Sequence, residues 1–435
     1  MNRLAQLVYH HTKKTTMNTN SNSNKRALIL VISLFFLWAL TSNLLPVLIP
    51  HLKKATGVNT LQASLVDSAY WLAYFLIAIP AGIVMKRFGY KATIISGLLL
   101  AAAGAFLFPL AADSKTFSFF LIALFIVASG MTFLETSASP FIREFGSHES
   151  YSQRLNFAQA FNGMGAVVAT NFLNHFILSD KLVKTEDEIK GLNNIELNDY
   201  YTTLFSSVKL PYMLIGTVLI IFALLFVFTR LGKVNAGSDK KIVLFNPLQS
   251  KQLSRSMMAQ FFYVGAQVCV SSFFILYAEK SAGFSLNKAN YFLGFLLISF
   301  MIGRYAGAWL MLKYEATKLL MLFSLGSILL TAVIVFVGGM AGIASFIGVE
   351  FFMSIMYPTI FSLGVKNMKE KTEIASSYMV MMIVGGALLP PVFGYITDRT
   401  DNVQYGYVVP LLCFIIILLF AKKEVNALKK ELYAA

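Results

Sequence analysis

Charged side chains make up only 13% of the 435 residues, about half the roughly one quarter usual in a soluble domain. That scarcity excludes an ordinary soluble fold. Cysteine is nearly missing: Cys269 and Cys413 both fall inside apolar runs and read as small buried hydrophobes, not as a disulfide or a metal pair. The histidines, His10, His11, His51, His148 and His175, show no metal-ligand spacing, and no G-x-x-x-x-G-K-[ST] loop occurs. Metal catalysis and ATP-driven chemistry are therefore unsupported, no cofactor is expected, and an intramembrane enzyme would lack a recognisable nucleophile. The formal charge of +15 does not point to nucleic acid, because the Lys and Arg residues sit between apolar runs instead of forming one soluble basic face.

What the chain has in excess is apolar surface, at 57% hydrophobic residues. Twelve apolar runs of about 18 to 25 residues lie between positions 27 and 421, each long enough to cross a hydrocarbon core of about 30 Å. The first run follows Lys25 and Arg26, but it is too long for a signal-peptide core and lacks a small-x-small cleavage site, so it is expected to remain attached. With the N-terminus inside, 25 of the 36 Lys and Arg residues fall in inside segments and 10 in outside loops, while Arg304 lies within a span. The positive-inside rule then places both termini in the cytoplasm. The acid-rich segment around 178–209 falls outside, and the basic segment 230–256 falls inside. The expected organisation is a cytoplasmic tail at 1–26, a six-helix bundle at 27–229, a cytoplasmic linker at 230–256, a second six-helix bundle at 257–421, and a cytoplasmic tail at 422–435. The expectation is an all-α membrane protein, placed in a bacterial inner membrane, with the lipid bilayer as its first partner.

The two halves echo one another. Pro140, Ile142 and Gly146 recur as Pro358, Ile360 and Gly364; Gly165-Ala166 recurs as Gly386-Ala387; Ala81-Gly82 recurs as Ala306-Gly307. Similar offsets at three places indicate a duplicated six-helix unit. Carriers built from such repeats hold substrate near the bilayer midplane, between halves that rock to alternate access.

The turn from Gly82 through Lys86, Arg87 and Gly89 to Lys91 resembles the loop signature of the major facilitator superfamily, with Lys86 where many members have Asp. More specific segments are Phe36-Leu37-Trp38 with Asn43, Leu134-Glu135-Thr136 through Pro140, Arg154-Leu155-Asn156 with Gln159 and Asn162, Tyr263 through Gln267, Ala289-Asn290-Tyr291, Ile302-Gly303-Arg304, and Tyr357 through Gly364. Together they resemble the fucose-galactose-glucose symporter family, and within it the fucose permeases. The resemblance implies a twelve-helix major facilitator fold of two pseudo-symmetric halves. It also implies a symporter that takes a monosaccharide or amino sugar inward with H⁺ or Na⁺ and functions as a monomer. Pro46 stands where the fucose permeases carry a first-helix carboxylate, and Asp67 and Glu350 are acidic where uncharged residues are expected. L-Fucose specificity and the usual proton route therefore do not follow from membership.

A charge at the bilayer centre costs about 2.5 to 3.5 kcal/mol even on mild insertion scales, so ionisable residues there are functional candidates. Glu135 lies deep in the fourth run. Burial favours the neutral form of a carboxyl, which lets such a group take and release a proton as its surroundings alternate between wet and dry. Glu135 is therefore the expected coupling residue. Asp67 reads equally as a second cation ligand, a vestibule residue or an interfacial acid. Glu350 is deep enough either to matter or to pair across the bundle, and Arg304 reads more readily as a snorkelling residue than as a substrate contact. Asn156, Gln159 and Asn162 form an amide stripe that will not face lipid; Asn156 is read as structural, while Gln159 and Asn162 suit sugar hydroxyls that both donate and accept. Gln260, Tyr263, Gln267 and Ser271 share another helical face, with Gln267 the expected contact. The resemblance adds Trp38, Asn43 and Asn290 to the substrate set. Tyr70, Trp71 and Tyr74 read more readily as membrane-end anchors. An uncoupled facilitator, an exporter of another polar solute, and a transport-inactive membrane sugar sensor are the competing readings.

Overall fold

The protein is described from a computed structural model covering residues 21–42, 60–114, 116–169, 191–207, 209–229 and 244–434. Every regular element among these residues is helical. The N-terminal half contributes α1 (Ser21–Ser42), α2 (60–88), α3 (90–114), α4 (Phe117–Phe141), α5 (Tyr151–Val168) and α6 (Lys209–Phe228). The C-terminal half contributes α7 (Lys251–Ser272, continuing as Phe274–Ala282), α8 (Leu286–Leu310), α9 (Ala316–Phe336), α10 (Gly339–Met353, continuing as Met356–Val365), α11 (Thr372–Met381, continuing as Gly385–Thr400) and α12 (Val408–Ala434). α2 and α3 form one helical run, Thr60–Ser114, parted only at Gly89, whose φ of 83° and ψ of 172° turn the chain. A side chain there would be strained, so glycine sets the turn.

By length and composition eight of the described helical runs can cross a bilayer, or nine when the two parts of α7, bent by 49°, count as one. One of those runs, Ala69–Ser114, holds both α2 and α3. α1 is apolar but short, at Arg26–Ser42, and α5 is diluted by amides, so these two complete the twelve. Lipid-facing side chains show the reversed polarity of a membrane protein: Leu210, Leu214, Ile221 and Phe228 of α6 are exposed, while polar groups such as Thr132, Asn156 and Gln260 are buried.

The halves meet where α5 packs on α8 and α10, and where the α2–α3 run and α4 pack on α11. Small residues permit the approach. A Cβ on Gly82 of α2 would lie 1.8 Å from Ser377 Oγ of α11, and one on Gly163 of α5 would press on Met301 of α8. Hydrogen bonds tie the halves at the face where α6 ends and α7 begins, called here the linker face. Lys86 Nζ donates to Glu370 O (2.9 Å), Arg143 Nη1 to Thr372 Oγ1 (2.8 Å), and Ser152 and Ser362 share a hydrogen bond of 2.5 Å. One turn deeper, Asn156 Nδ2 donates to Thr359 Oγ1 (3.1 Å).

Arg143 is itself held by the turn after α4, where its Nε donates to His148 Nδ1 at 3.0 Å. That bond needs a neutral imidazole nitrogen. Partial burial, together with the nearby Arg143 and Arg154 charges, lowers the His148 pKa from its ordinary 6.5, while Glu149 opposes the shift. A lowered value favours the neutral ring, so its contribution is complete above the ordinary value and disappears as pH falls through the lowered one. Wild-type protein in detergent is expected to melt above a His148→Ala variant at pH 8, with the gap closing below about pH 6. A gap of constant size across that range would mean the neutral ring is not what holds Arg143.

Candidate functional site

Glu135 sits on α4 at the meeting of the halves and is only 2% exposed. Its Oε1 accepts a hydrogen bond of 2.8 Å from the Tyr357 hydroxyl, supplied by α10 of the other half. Ser139, one turn along α4, and Gln159 of α5 lie beside the same carboxylate. Leu34, Phe35 and Trp38 of α1, with Leu134, Glu135 and Ala138 of α4, line a hollow against it, with room for about one water. α4 thus delivers the acid, α1 lines the hollow beside it, and α10 delivers its donor.

Arg304 does not snorkel. It is 4% exposed, and its Nε donates at 3.3 Å to Ser354 O of α10, a carbonyl whose helical donor position is Pro358, which has no N–H. Its Nη1 crosses to α5 and donates to Gln159 O, to Gln159 Oε1 (3.1 Å) and to Asn162 Oδ1 (3.1 Å). The Phe300 ring centroid lies 4.5 Å from the guanidinium carbon. A hydropathy profile shows how deep a residue sits but not whether a neighbouring helix opens to receive it. The two amides read as sugar contacts therefore spend their oxygens on Arg304 in this conformation, and Asn162 Nδ2 donates to Phe35 O (3.3 Å). Asn156 bonds Ser152 O, Met311 Sδ and Thr359 Oγ1, in keeping with its structural reading.

Glu350 of α10 is 2% exposed and accepts a 3.0 Å hydrogen bond from Ser271 Oγ, next to the bend in α7. Gln260 is fully buried, and neither of its amide atoms finds a protein partner among the described residues. Gln267 is half-buried one turn beyond Tyr263, whose ring lies 6.2 Å from that of Tyr357. The aromatic residues of α2 are interior groups, not membrane-end anchors. Tyr70 and Tyr74 are 6% and 1% exposed, Tyr74 accepts from Trp38 Nε1 at 2.8 Å, and Trp71 packs on Gly386 of the other half. Asn290 departs from expectation. It is exposed near the start of α8, about 21 Å along the helix from Arg304 at 1.5 Å per residue, and so does not share the buried cluster. Asn43 and Pro46 lie outside the described residues; Asp67 falls in α2, but its side chain lies outside them as well. No group of three metal-ligating side chains occurs among the described residues.

Two partners escaped the sequence reading. Tyr357 opens a segment read only as part of the repeat and of the family resemblance, and the Ser354 carbonyl is a free acceptor because Pro358, four residues on, has no N–H to claim it. A lysine at 304 would supply a compact ammonium in place of a planar fork, and could not serve Ser354 O and the α5 amides together. Leaving those oxygens unsatisfied costs about 1 to 3 kcal/mol. Arg304→Lys is therefore expected to lower the thermal midpoint by several degrees, and an unchanged midpoint would show that the bridge carries no stability.

Two six-helix halves, meeting along a seam of buried ionisable and amide side chains beside broken helices, have the build of a secondary carrier. The chain belongs to the Major Facilitator Superfamily, whose family model matches residues 30–390, and it is a multi-pass membrane transporter, not an enzyme. It is 40% identical over 406 residues to the L-fucose-proton symporter of Escherichia coli (strain K12), covering 90% of this chain and 92% of that one. It is 32% identical over 416 residues to the glucose/galactose transporter of Brucella abortus biovar 1 (strain 9-941), covering 93% and 96%. Its structure is similar to the crystal structure of FucP, a Major Facilitator Superfamily transporter in the outward conformation, with TM-score 0.85 and 38% identity over 92% of this chain and 99% of that one.

Proposed function

We propose that the chain imports a monosaccharide or amino sugar across a bacterial inner membrane by alternating access, driven by H⁺ or Na⁺ moving with it. The observation that carries this reading is Glu135 of one half hydrogen-bonded to Tyr357 of the other. An acid at the seam meets different surroundings whenever the halves rock, so its occupancy by a cation is coupled to their arrangement. The fucose-proton and glucose/galactose relatives support a sugar as cargo.

The basic bias of the segments beside the linker assigns the linker face and both termini to the cytoplasm. The ties at Lys86, Arg143 and Ser152 then close the inner gate, and the conformation is outward-facing. Sugar hydroxyls compete with Arg304 for the oxygens of Gln159 and Asn162. Binding thereby loosens a bridge between the halves, which is how cargo lowers the barrier to opening inward. Gln267, half-buried on α7, offers a further hydroxyl partner. The carrier works as a monomer in lipid, with no cofactor beyond the coupling ion.

Uptake into proteoliposomes, measured with and without an imposed pH or Na⁺ gradient, tests the reading. Accumulation is expected under one of the two gradients, and equal uptake under all conditions would indicate a uniporter. Glu135→Gln is expected to lose gradient-driven accumulation far more than exchange of labelled for unlabelled sugar. Undiminished accumulation by that variant would remove Glu135 from the coupling role.

A further inference from the structure

Two buried carboxylates share one buried guanidinium. Glu135 of α4 and Glu350 of α10 are each 2% exposed, Arg304 of α8 is 4% exposed, and Arg304 lies within electrostatic reach of both acids. Its hydrogen bonds go to amide and backbone oxygens and to neither acid, so its charge is shared between them. The groups facing Glu350 are Ser271 and Tyr263 of α7 and Arg304 of α8. Among the described residues facing Glu350, Arg304 is the one cation, and it also balances Glu135. With both acids ionised the cluster carries one uncompensated negative charge. An unpaired charge in such surroundings costs several kcal/mol, more than any single hydrogen bond returns.

We infer that Glu350 is a second coupling carboxylate, and that the Glu135–Arg304–Glu350 cluster takes up one monovalent cation, H⁺ or Na⁺, for each sugar carried. This rests on the symport reading above and assigns its stoichiometry and a second site. Cation uptake brings the cluster from a net charge of −1 to zero, which permits the occluded state. Release on the other side restores −1. A proton would form an O–H bond on one carboxyl, whereas Na⁺ would be bound by carboxylate oxygens with no covalent change. Glu350→Gln removes one negative charge, so Glu135 and Arg304 already balance and no cation is needed.

The test uses full-length protein in proteoliposomes, under separate tenfold H⁺ and Na⁺ gradients with the membrane potential clamped to zero. For a neutral sugar, one ion per sugar supports at most about tenfold accumulation under one of these gradients, and two ions about a hundredfold. Wild type is expected at the one-ion limit. The gradient that succeeds identifies the ion. Glu350→Gln is expected to equilibrate sugar without accumulating it, while still exchanging labelled for unlabelled sugar, and Glu350→Asp is expected to recover part of the accumulation. Accumulation by Glu350→Gln equal to wild type overturns the assignment of Glu350 and leaves symport intact. Failure of wild type to accumulate under either gradient overturns the symport reading itself. Should Glu350→Gln fail to reconstitute, the wild-type ratio still decides: two ions per sugar contradict the charge balance, and one supports it.

Discussion

The protein is organised around the need to satisfy charge that has been taken out of water. Arg304 lies within a membrane-spanning helix and remains a cation, since a guanidinium does not give up its proton in proteins. It is stable there because Pro358 leaves the Ser354 carbonyl of α10 without a helical donor, and because α5 brings two amide oxygens across the seam. Each concession has a structural reason. A residue with a backbone N–H in place of Pro358 could draw the Ser354 carbonyl into the helical ladder, and an apolar α5 would leave the guanidinium without partners on the far side.

The seam follows from this arrangement. Small residues such as Gly82 and Gly163 bring the halves into van der Waals contact, while polar pairs placed among them make the contact reversible. Hydrogen bonds between neutral side chains in membranes contribute only about 0.6 kcal/mol each. Two ties of this kind, Ser152–Ser362 and Asn156–Thr359, stand beside the charged donors Lys86 and Arg143 at the linker face, a set small enough to hold a gate shut without making it permanent. The charged cluster deeper in the seam is a stronger constraint, and in the symport proposed above it is the part whose energy changes when an ion or a sugar arrives. Closure at the linker face and occupancy at the centre are linked through α5, which carries Ser152 and Asn156 toward one end and Gln159 and Asn162 toward the middle.

The helices and the duplication were legible because hydrocarbon imposes a simple rule of length and polarity. Gly89 as a turn, Glu135 as a buried acid and Asn156 as a structural amide follow from residue type and depth. The direction of Arg304 did not, because helical depth favoured snorkelling, and the deciding feature is a carbonyl on another helix some fifty residues away, that of Ser354, which Pro358 cannot claim. Asn290 lies apart from the buried cluster for a related reason: a resemblance carries residue type but not exposure. Tyr70 and Tyr74 looked like interfacial anchors from composition, and became interior groups once α1 and α2 closed around Trp38.

Parting of the two halves at the linker face in every cycle is the motion on which alternating access depends. Ser152 and Ser362 share a 2.5 Å hydrogen bond across that face, and the native cysteines, Cys269 and Cys413, are buried. Cysteines at positions 152 and 362 should therefore oxidise to a disulfide that staples the face shut. The expected result is loss of sugar uptake on oxidation, full recovery with a reductant, and no effect in either single variant. Uptake that continues unchanged with the staple in place would contradict a gate at this seam.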